Sequence, residues 1–427
     1  MNMTITENTS STEVATPSSI RKCRFCGTHL ERTFVDLGMS PLCESYPAAA
    51  DLNSGEVYYP LKVYVCDHCF LVQLDEYESA EKIFTDYAYF SSHSSSWLAH
   101  AKSYVDSVVE RFGLGPNSRH VEIASNDGYL LQYSIARGIK CLGIEPCESV
   151  ALAARSKGVE TRVEFFGRQY GERLRQEGWT ADLITANNVL AHVPDINDFV
   201  GGVKMLLASD GVATFEVQHL LTLMQRHQFD TIYHEHFSYL SLIGGQRVFE
   251  RAGLRVFDVE LPETHGGSIR FFVCHAESPQ PLSPRVAQVL ATERAYGLDR
   301  DEVYTAWNES VKQTKRDLLE LLISLKRKSK TIVGYGAPAK AVTLLNYCGV
   351  GVDFLDFTVD RAPSKQGRYL PGVRIPILAP EAIFEAKPDY VLILPWNIKQ
   401  EIKTQMEGIR HWGGRFIVPV PKATIED

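Results

Sequence analysis

From about residue 97 onward, short apolar runs alternate with amphipathic stretches. Apolar residues recur at helical spacing from Trp97 to Val109, and Gly113 follows them, which predicts an amphipathic helix that ends there. The next apolar runs have the length of buried strands, and they cover residues 120–124, 141–145, 181–186 and 212–217. Strands that alternate with helices at this spacing predict a doubly wound parallel sheet, so we expect a central Rossmann-like α/β region.

A second alternating pattern begins near residue 330. An apolar run leads into the turn G-Y-G-A-P-A over residues 334–339, and we expect a helix that begins near Pro338, because proline is tolerated in a first helical turn. Further strands are predicted over 353–359, ending at Asp360, and over 390–395. These elements predict a C-terminal Rossmann-like domain.

Four of the nine cysteines form two C-x-x-C pairs, Cys23 with Cys26 and Cys66 with Cys69. Each pair folds a tight turn that points two thiolates at one ion, so the two pairs together predict a closed, structural zinc site. Two redox motifs are the alternative, but they would need a thioredoxin-like βαβ context that the flanks do not show. Zinc would substitute for the core that a region of about 60 residues can barely build.

Length and charge narrow the class of protein. At roughly 150 residues per domain, 427 residues predict about three domains. The net charge of −8 and the absence of a long basic run argue against nucleic acid as a partner. No apolar stretch reaches the roughly 18 residues of a membrane span and no secretory signal is visible, so we expect a cytoplasmic protein. The expected divisions are a disordered leader (1–19), a zinc-binding domain (20–80), a central domain (81–284), a helical connector (285–329) and the C-terminal domain (330–427).

Carboxylates and amides follow the first strands of the central region. Gly128 lets the backbone approach a ligand, and Glu145 stands where a carboxylate can accept both hydroxyls of an adenosine ribose. This favours S-adenosylmethionine over NAD, which would prefer G-x-G-x-x-G at this turn. An ordinary strand-end turn is the alternative. The candidate cofactor-binding residues are Glu122, Ser125, Asn126, Asp127, Gly128, Glu145, Pro146, Asn187 and Asn188.

Proton-transferring groups are concentrated in the segment Y-H-E-H over residues 233–236. His234 and His236 lie two residues apart, which does not match the i, i+4 spacing of a helical zinc pair, so general acid–base chemistry is favoured over a metal. A surface loop with aromatic anchors is the alternative. Downstream, H-G-G over residues 265–267 predicts a glycine turn that presents backbone N–H groups to the same cleft.

Several motifs occur together in one order: the two C-x-x-C pairs, Y-A-Y-F-S-S (87–92), V-E-I-A-S-N-D-G (121–128), N-V-L-A-H (188–192), Y-H-E-H-F (233–237) and H-G-G-S-I-R (265–270). In this order they resemble the sugar C-methyltransferase family over essentially residues 20 to 425. The resemblance implies a zinc-binding domain, an S-adenosylmethionine domain and a C-terminal Rossmann-like domain. It also implies methyl transfer to C3, or in some members C5, of a nucleoside-diphosphate 4-keto-6-deoxy sugar, and we expect C3.

The resemblance also implies roles for single residues. His236 would abstract the proton, and His192 would donate to the keto oxygen. Glu235 and Tyr233 would hold His236 or the sugar hydroxyls. The remaining catalytic candidates, Tyr87 and Tyr89, would close over the sugar. The sequence does not decide between His234 and His236 as the base.

Basic residues near the C-terminal glycine turn suit the phosphates of a nucleotide sugar. The candidate substrate-binding residues are His265, Gly336, Ala337, Lys340, Lys365 and Arg368. A degenerate scaffold and an NAD site are the alternatives for this turn. Two other functions therefore stay open at this point: an NAD-dependent sugar-nucleotide oxidoreductase and a zinc-ribbon nucleic-acid methyltransferase. We expect a monomer and leave weak association open.

Overall fold

The computed structural model describes residues 21–79 and 90–427. Its strands are β1 Thr33–Ser40, β2 Tyr59–Val65, β3 Val72–Leu74, β4 Arg119–Ile123, β5 Lys140–Ile144, β6 Thr161–Arg162, β7 Ala181–Asn187, β8 Leu207–Gln218, β9 Ser238–Tyr239, β10 Leu254–Glu260, β11 Ser268–His275, β12 Ile332–Tyr335, β13 Thr358–Val359, β14 Ile377–Leu378, β15 Tyr390–Ile393, β16 Arg415–Val418 and β17 Thr424–Glu426. Its α-helices are α1 Ser95–Phe112, α2 Leu131–Ile135, α3 Glu148–Ser156, α4 Arg168–Gln176, α5 Ile196–Leu206, α6 Leu220–Gln225, α7 Leu242–Arg251, α8 Pro284–Tyr296, α9 Asp301–Lys326, α10 Ala339–Cys348, α11 Ala382–Ala386 and α12 Lys399–Gln405. The chain thus has the predicted α/β class.

The central sheet has seven strands in the order β10-β11-β8-β7-β4-β5-β6. Strands β4 to β8 run parallel, whereas β11 pairs antiparallel with both β8 and β10. The predicted helix before this sheet is α1, which Ser94 caps by accepting the Trp97 N–H and which ends at the left-handed Gly113. The predicted Rossmann-like sheet is therefore confirmed, and it brings the carboxyl ends of β4, β5, β7 and β8 to one edge.

The C-terminal sheet has six strands in the order β14-β13-β12-β15-β16-β17, all parallel except β17. One predicted strand is wrong in extent, since residues 353–359 supply only the two residues of β13. The Asp353 carboxylate accepts the Gly351 N–H, and Phe354 donates to the Gly351 carbonyl, so this stretch forms a turn before the strand begins.

The N-terminal sheet takes its fourth strand from the central region. Its order is β1-β2-β3-β9, all antiparallel, and β9 directly follows the Y-H-E-H segment. Apolar side chains of β1 to β3 share one core with α9, α10 and the C-terminal sheet, while the cysteine pairs pack against the core of the central sheet. This arrangement joins all three regions around the end of the Y-H-E-H segment.

No helix within residues 21–79 and 90–427 is both long enough and apolar enough to cross a lipid bilayer.

Candidate active site

The four cysteines of the two C-x-x-C pairs converge. Their Sγ atoms all lie within 4.8 Å of one another, with Cys23 to Cys69 and Cys26 to Cys66 both at 3.5 Å. A tetrahedral site with Zn–S bonds of 2.3 Å needs S···S separations of about 3.8 Å, so the thiolates fit a zinc ion. Gln73 Nε2 donates to Cys23 Sγ at 3.2 Å and orients that ligand from β3. Four protein ligands fill the tetrahedron, which is typical of a structural site.

A cavity of about 610 Å³ lies where the three regions meet. Its lining residues come from the β1–β2 connection (Glu44), from the carboxyl edge of the central sheet, from the Y-H-E-H segment and from the C-terminal region (Pro338, Ala339, Lys340 and Lys365). Its volume lies within the range of about 300–1,000 Å³ that is typical of ligand-binding sites.

The loop after β4 is shaped for close approach to a ligand. Ala124, Asn126 and Gly128 have positive φ angles, and a Cβ added at Gly128 would lie 2.7 Å from Cγ2 of Val159, so only glycine fits there. The Glu145 carboxylate, just beyond β5, accepts the Asn126 and Cys147 N–H groups at 3.0 Å each. These bonds hold the loop and the carboxylate at the rim of one cavity.

The predicted cofactor residues separate into two groups. Asn126, Glu145, Pro146, Asn187 and Asn188 line the cavity. The other four, Glu122, Ser125, Asp127 and Gly128, are not among the described residues that line it and lie behind this surface. Burial raises the pKa of Glu122 well above its usual range, so its side chain is neutral. Asp127 pairs with Lys157 at 2.8 Å and accepts the Ser92 hydroxyl, which ties the segment before α1 to the loop.

His236 contributes a half-buried imidazole to the wall of the cavity. Its Nδ1 lies 2.9 Å from the Thr231 carbonyl oxygen, which only accepts, so Nδ1 carries the proton and Nε2 carries a lone pair. Its ring lines the cavity. The ring centroid lies 4.0 Å from that of Tyr233 and 4.6 Å from that of His192. Burial and the neighbouring His192 lower the pKa of His236 well below its usual range, so the imidazole is uncharged at neutral pH.

His234 faces the other way. Its Nε2 lies 3.3 Å from the Pro60 carbonyl oxygen, and its ring packs edge-on against Tyr59 and Tyr77. His234 is not among the described residues that line the cavity. A turn explains the difference: the His236 N–H donates to the Tyr233 carbonyl at 2.9 Å, so residues 233–236 are not extended and the two histidines do not share a face as i, i+2 residues of a strand would.

Glu235, Tyr233 and His192 line the cavity beside His236. Burial, reinforced by the charge of Glu44, raises the pKa of Glu235 to about 8, and burial lowers the pKa of His192 to about 4. At neutral pH the carboxyl of Glu235 is therefore protonated and His192 is uncharged. The structure thus brings four predicted catalytic residues together, while Tyr87 and Tyr89 lie outside the described residues.

The H-G-G turn delivers a side chain to the cavity. His265 lines it, packed edge-on at 4.8 Å against Trp97, whereas the Gly267 N–H donates to the Thr264 carbonyl and not to the cleft. A Cβ at Gly267 would lie 2.4 Å from Cγ2 of Thr222, so the turn requires glycine for packing. The Gly267 N–H is therefore not presented to the cleft, contrary to the expectation for this turn.

Lys340 lines the cavity from the C-terminal region, next to a contact between that region and the central one. Its ammonium lies 4.5 Å from the Trp396 ring centroid and donates to Asn397 Oδ1 at 2.8 Å. The Trp396 indole N–H in turn donates to the buried Asp230 carboxylate at 2.6 Å. Burial raises the pKa of Asp230 to about 6.

The other predicted substrate residues are divided between the cavity and the packing of the regions. Lys365 lines the cavity, and its ammonium donates to the Tyr46 hydroxyl and the Ala337 carbonyl at 2.9 Å each. Arg368 donates to the Tyr46 carbonyl at 3.1 Å and Gly336 packs against Pro395, so both join parts of the chain to one another. Gly336, Ala337 and Arg368 are not among the described residues that line the cavity.

Several lining residues escaped the sequence motifs. Glu44 lies in the connection between β1 and β2, and Phe165 and Phe166 follow β6. Trp97 lies in helix α1 and Tyr129 in the turn after β4, and the local sequence pattern does not distinguish either from a core residue. The F-F pair after a strand is a signal that could have been used, whereas nothing in the local pattern distinguishes Glu44.

Comparisons with known proteins agree with this geometry. Family models match a zinc binding domain over residues 23–84, a methyltransferase domain over 97–259 and a C-methyltransferase C-terminal domain over 263–421. The chain is 37% identical over 406 residues to the C-methyltransferase NovU of Streptomyces niveus. The aligned residues make up 95% of this chain and 97% of that protein. The chain belongs to the S-adenosylmethionine-dependent C-methyltransferase family. This membership confirms the family resemblance and the two cofactors, S-adenosylmethionine and structural zinc.

Two solved methyltransferases align with part of this C-methyltransferase at low overall similarity. The magnesium protoporphyrin IX methyltransferase of Synechocystis, solved with bound SAM, is 14% identical with a TM-score of 0.34 and covers 47% of this chain and 100% of that one. A methyltransferase from Clostridium acetobutylicum is 14% identical with a TM-score of 0.33 and covers 41% of this chain and 90% of that one.

Proposed function

We propose that this C-methyltransferase transfers a methyl group to C3, next to the ketone, of a nucleoside-diphosphate 4-keto-6-deoxy sugar. The observation that carries the proposal is His236, a neutral imidazole whose Nδ1 is tied to the Thr231 carbonyl in a cavity that three regions of the chain line. Carbon becomes nucleophilic only when a proton next to a carbonyl is removed, so C-methylation needs such a base. Family membership favours methyl transfer over the NAD-dependent oxidation and the nucleic-acid methylation considered above.

The residues of the cavity would divide the work. His236 Nε2 would take the proton, and His192, 4.6 Å away between ring centroids, would donate to the enolate oxygen that forms. Tyr233, against the His236 ring, would hold the base or a sugar hydroxyl. S-adenosylmethionine, when bound, supplies an electrophilic methyl group on a sulfonium. Glu145 and Asn126 would hold it at the edge of the central sheet, where the carboxylate suits the ribose hydroxyls.

The cations of the C-terminal region support a nucleotide sugar as substrate. Lys340 and Lys365 both line the cavity in a chain with a net charge of −8, so these two ammonium groups would meet a diphosphate there. Arg368 would act indirectly, by fastening the C-terminal region to Tyr46.

The direct test is product analysis. Purified protein is incubated with S-adenosylmethionine and a panel of nucleoside-diphosphate 4-keto-6-deoxy sugars. Mass spectrometry should show one added methyl group, and carbon NMR should place it on C3. A methyl group on oxygen or nitrogen, or no reaction with any keto sugar although S-adenosylhomocysteine binds, would contradict the proposal.

Replacing Glu145 by glutamine should weaken S-adenosylhomocysteine binding by about 10-fold to 100-fold, because hydrogen bonds to a charged group contribute about 1.5–3 kcal/mol. Isothermal titration calorimetry measures the change. Glu148→Gln is the matched control, since that carboxyl lies three residues later with 69% of its side chain exposed. Equal affinities for the two variants would remove Glu145 from the cofactor site.

A further inference from the structure

We propose that Asp230 and Trp396 are positioning residues that hold the Lys340 ammonium at the wall of the cavity. This inference rests on the proposed function, because that function assigns Lys340 to the diphosphate of the substrate. Neither Asp230 nor Trp396 is among the described residues that line the cavity, so both act through Lys340. Their side chains join the central region to the C-terminal region across 166 positions of sequence.

The Trp396 ring supports the Lys340 ammonium. The ammonium lies 4.5 Å from the ring centroid and donates to Oδ1 of Asn397, the next residue along the chain, at 2.8 Å. Lys340 lies in the first turn of α10, where the positive end of the helix dipole disfavours a cation. Burial opposes the charge as well and lowers the pKa of Lys340. The ring face and the amide oxygen offset these effects, so the place of the ammonium depends on the place of the indole.

Asp230 fixes the orientation of that indole. Its Oδ2 accepts the Trp396 N–H at 2.6 Å, and the residue is completely buried. The other carboxyl oxygen, Oδ1, has no hydrogen-bond partner among the residues that the structure describes. A buried carboxyl with one unmatched oxygen costs stability that an apolar side chain would not cost. The bond to the indole is therefore the one contact of this carboxyl that explains its place in the core.

The same contact reaches the segments that carry the proposed base. The Thr231 carbonyl, one residue after Asp230, lies 2.9 Å from Nδ1 of His236. In the H-G-G turn, a Cβ added at Gly266 would lie 2.9 Å from Cη2 of Trp396, so the indole packs closely on that turn. The indole thus touches two segments of the central region, and this contact fixes the ammonium relative to the base.

The first test measures binding to the whole protein by calorimetry, with thymidine diphosphate, guanosine diphosphate and S-adenosylhomocysteine as probes. Trp396→Phe keeps a ring beside the ammonium but removes the N–H. It should weaken binding of the nucleoside diphosphate by about 10-fold and leave S-adenosylhomocysteine affinity within about twofold, because the lost bond has a charged acceptor. Trp412→Phe is the matched control, since that indole donates to the Pro388 carbonyl at 2.9 Å and does not line the cavity, and it should change neither affinity.

A double-mutant comparison separates action through Lys340 from simple packing between regions. In the Lys340→Met background, Trp396→Phe should weaken diphosphate binding by less than about twofold, because the ammonium through which it acts is gone. In steady-state kinetics Trp396→Phe should raise KM for the keto sugar by about 10-fold and keep kcat within about threefold, as expected for lost substrate binding.

A second measurement follows the ammonium without any nucleotide. Lysines are methylated reductively with ¹³C-formaldehyde, and Lys340→Arg identifies the Lys340 methyl signal in NMR spectra by removing it. The indole ring, 4.5 Å away, should shift this signal upfield in the unaltered protein. Asp230→Leu should abolish the shift although Trp396 is retained. Asp230→Asn should preserve it, because the amide oxygen still accepts the indole N–H.

Three results would each overturn the inference. They are unchanged diphosphate affinity in Trp396→Phe, a tenfold loss that persists in the Lys340→Met background, and an unchanged NMR signal in Asp230→Leu. A lost NMR shift in a protein that binds no nucleoside diphosphate, or that methylates no keto sugar, would uphold the positioning role and overturn the proposed function. Methylation of a keto sugar at C3, together with an unchanged signal in Asp230→Leu, would do the reverse.

Discussion

Replacing His236 by asparagine is expected to lower kcat for methyl transfer by about 1000-fold while leaving S-adenosylhomocysteine affinity within about twofold. The Asn amide can still donate to the Thr231 carbonyl, but it has no basic lone pair, so the variant loses proton abstraction specifically. Methyl transfer is measured by mass spectrometry under single-turnover conditions and affinity by calorimetry. Since general acid–base catalysis contributes typically 10²-fold to 10⁴-fold, the expected loss lies inside that range.

A second measurement isolates the proton transfer. Incubation of the substrate with protein and S-adenosylhomocysteine in D₂O should exchange the hydrogen on the carbon beside the ketone, and His236→Asn should abolish that exchange. His234→Asn is the matched control, because that side chain bonds to the Pro60 carbonyl outside the cavity, and it should retain exchange in the fraction that folds. Normal exchange in His236→Asn, or loss confined to His234→Asn, would assign the base elsewhere.

Replacing Cys23 by alanine is expected to lower the free energy of unfolding by more than about 4 kcal/mol and to reduce bound zinc to well below one ion per chain. Four thiolates within 4.8 Å of one another repel unless an ion holds them, and the energy of binding that ion is folding energy. Zinc content is measured by inductively coupled plasma mass spectrometry and stability by urea unfolding.

Cys274→Ala is the matched control. Cys274 is equally buried, on β11, but lies outside the cysteine cluster, so its loss should cost only about 1 kcal/mol and leave zinc at one ion per chain. Because β3 connects the zinc ligands to β9, Cys23→Ala should also weaken substrate binding before it weakens cofactor binding. Full stability and activity in a zinc-free Cys23→Ala protein would show that the site is dispensable.

Much of the fold follows from local patterns. The strands β4, β5, β7 and β8 were each predicted within about two residues at the carboxyl ends that matter, since a buried parallel strand is an uninterrupted apolar run. The zinc site was predictable because each C-x-x-C turn already brings two ligands together. The strand over 353–359 was overestimated because apolar Phe354 and Leu355 lie in a turn that Asp353 caps.

The candidate site was less predictable than the fold. Its acid–base segment could be located from composition, but the choice between His234 and His236 depended on which carbonyl each ring meets, Pro60 or Thr231. Three of the expected substrate residues do not line the cavity: Ala337 and Arg368 bond to Tyr46 of the N-terminal region, and Gly336 packs against Pro395 within the C-terminal region. A basic residue near a glycine turn has the same local pattern in either role.

The sequence by itself determined the elements and the chemical groups: alternating strands and helices, two pairs of thiolates, and a segment rich in imidazole and carboxyl groups. Only the tertiary structure decided which groups share a cavity. Glu44 and Lys365 are 321 positions apart in the sequence (365 − 44), yet Lys365 Nζ lies 3.8 Å from Glu44 Oε2. Contacts of that separation depend on how sheets pack and on the strand β9 shared between regions. Local periodicity carries no information about such contacts, because it reports only which face of an element is buried.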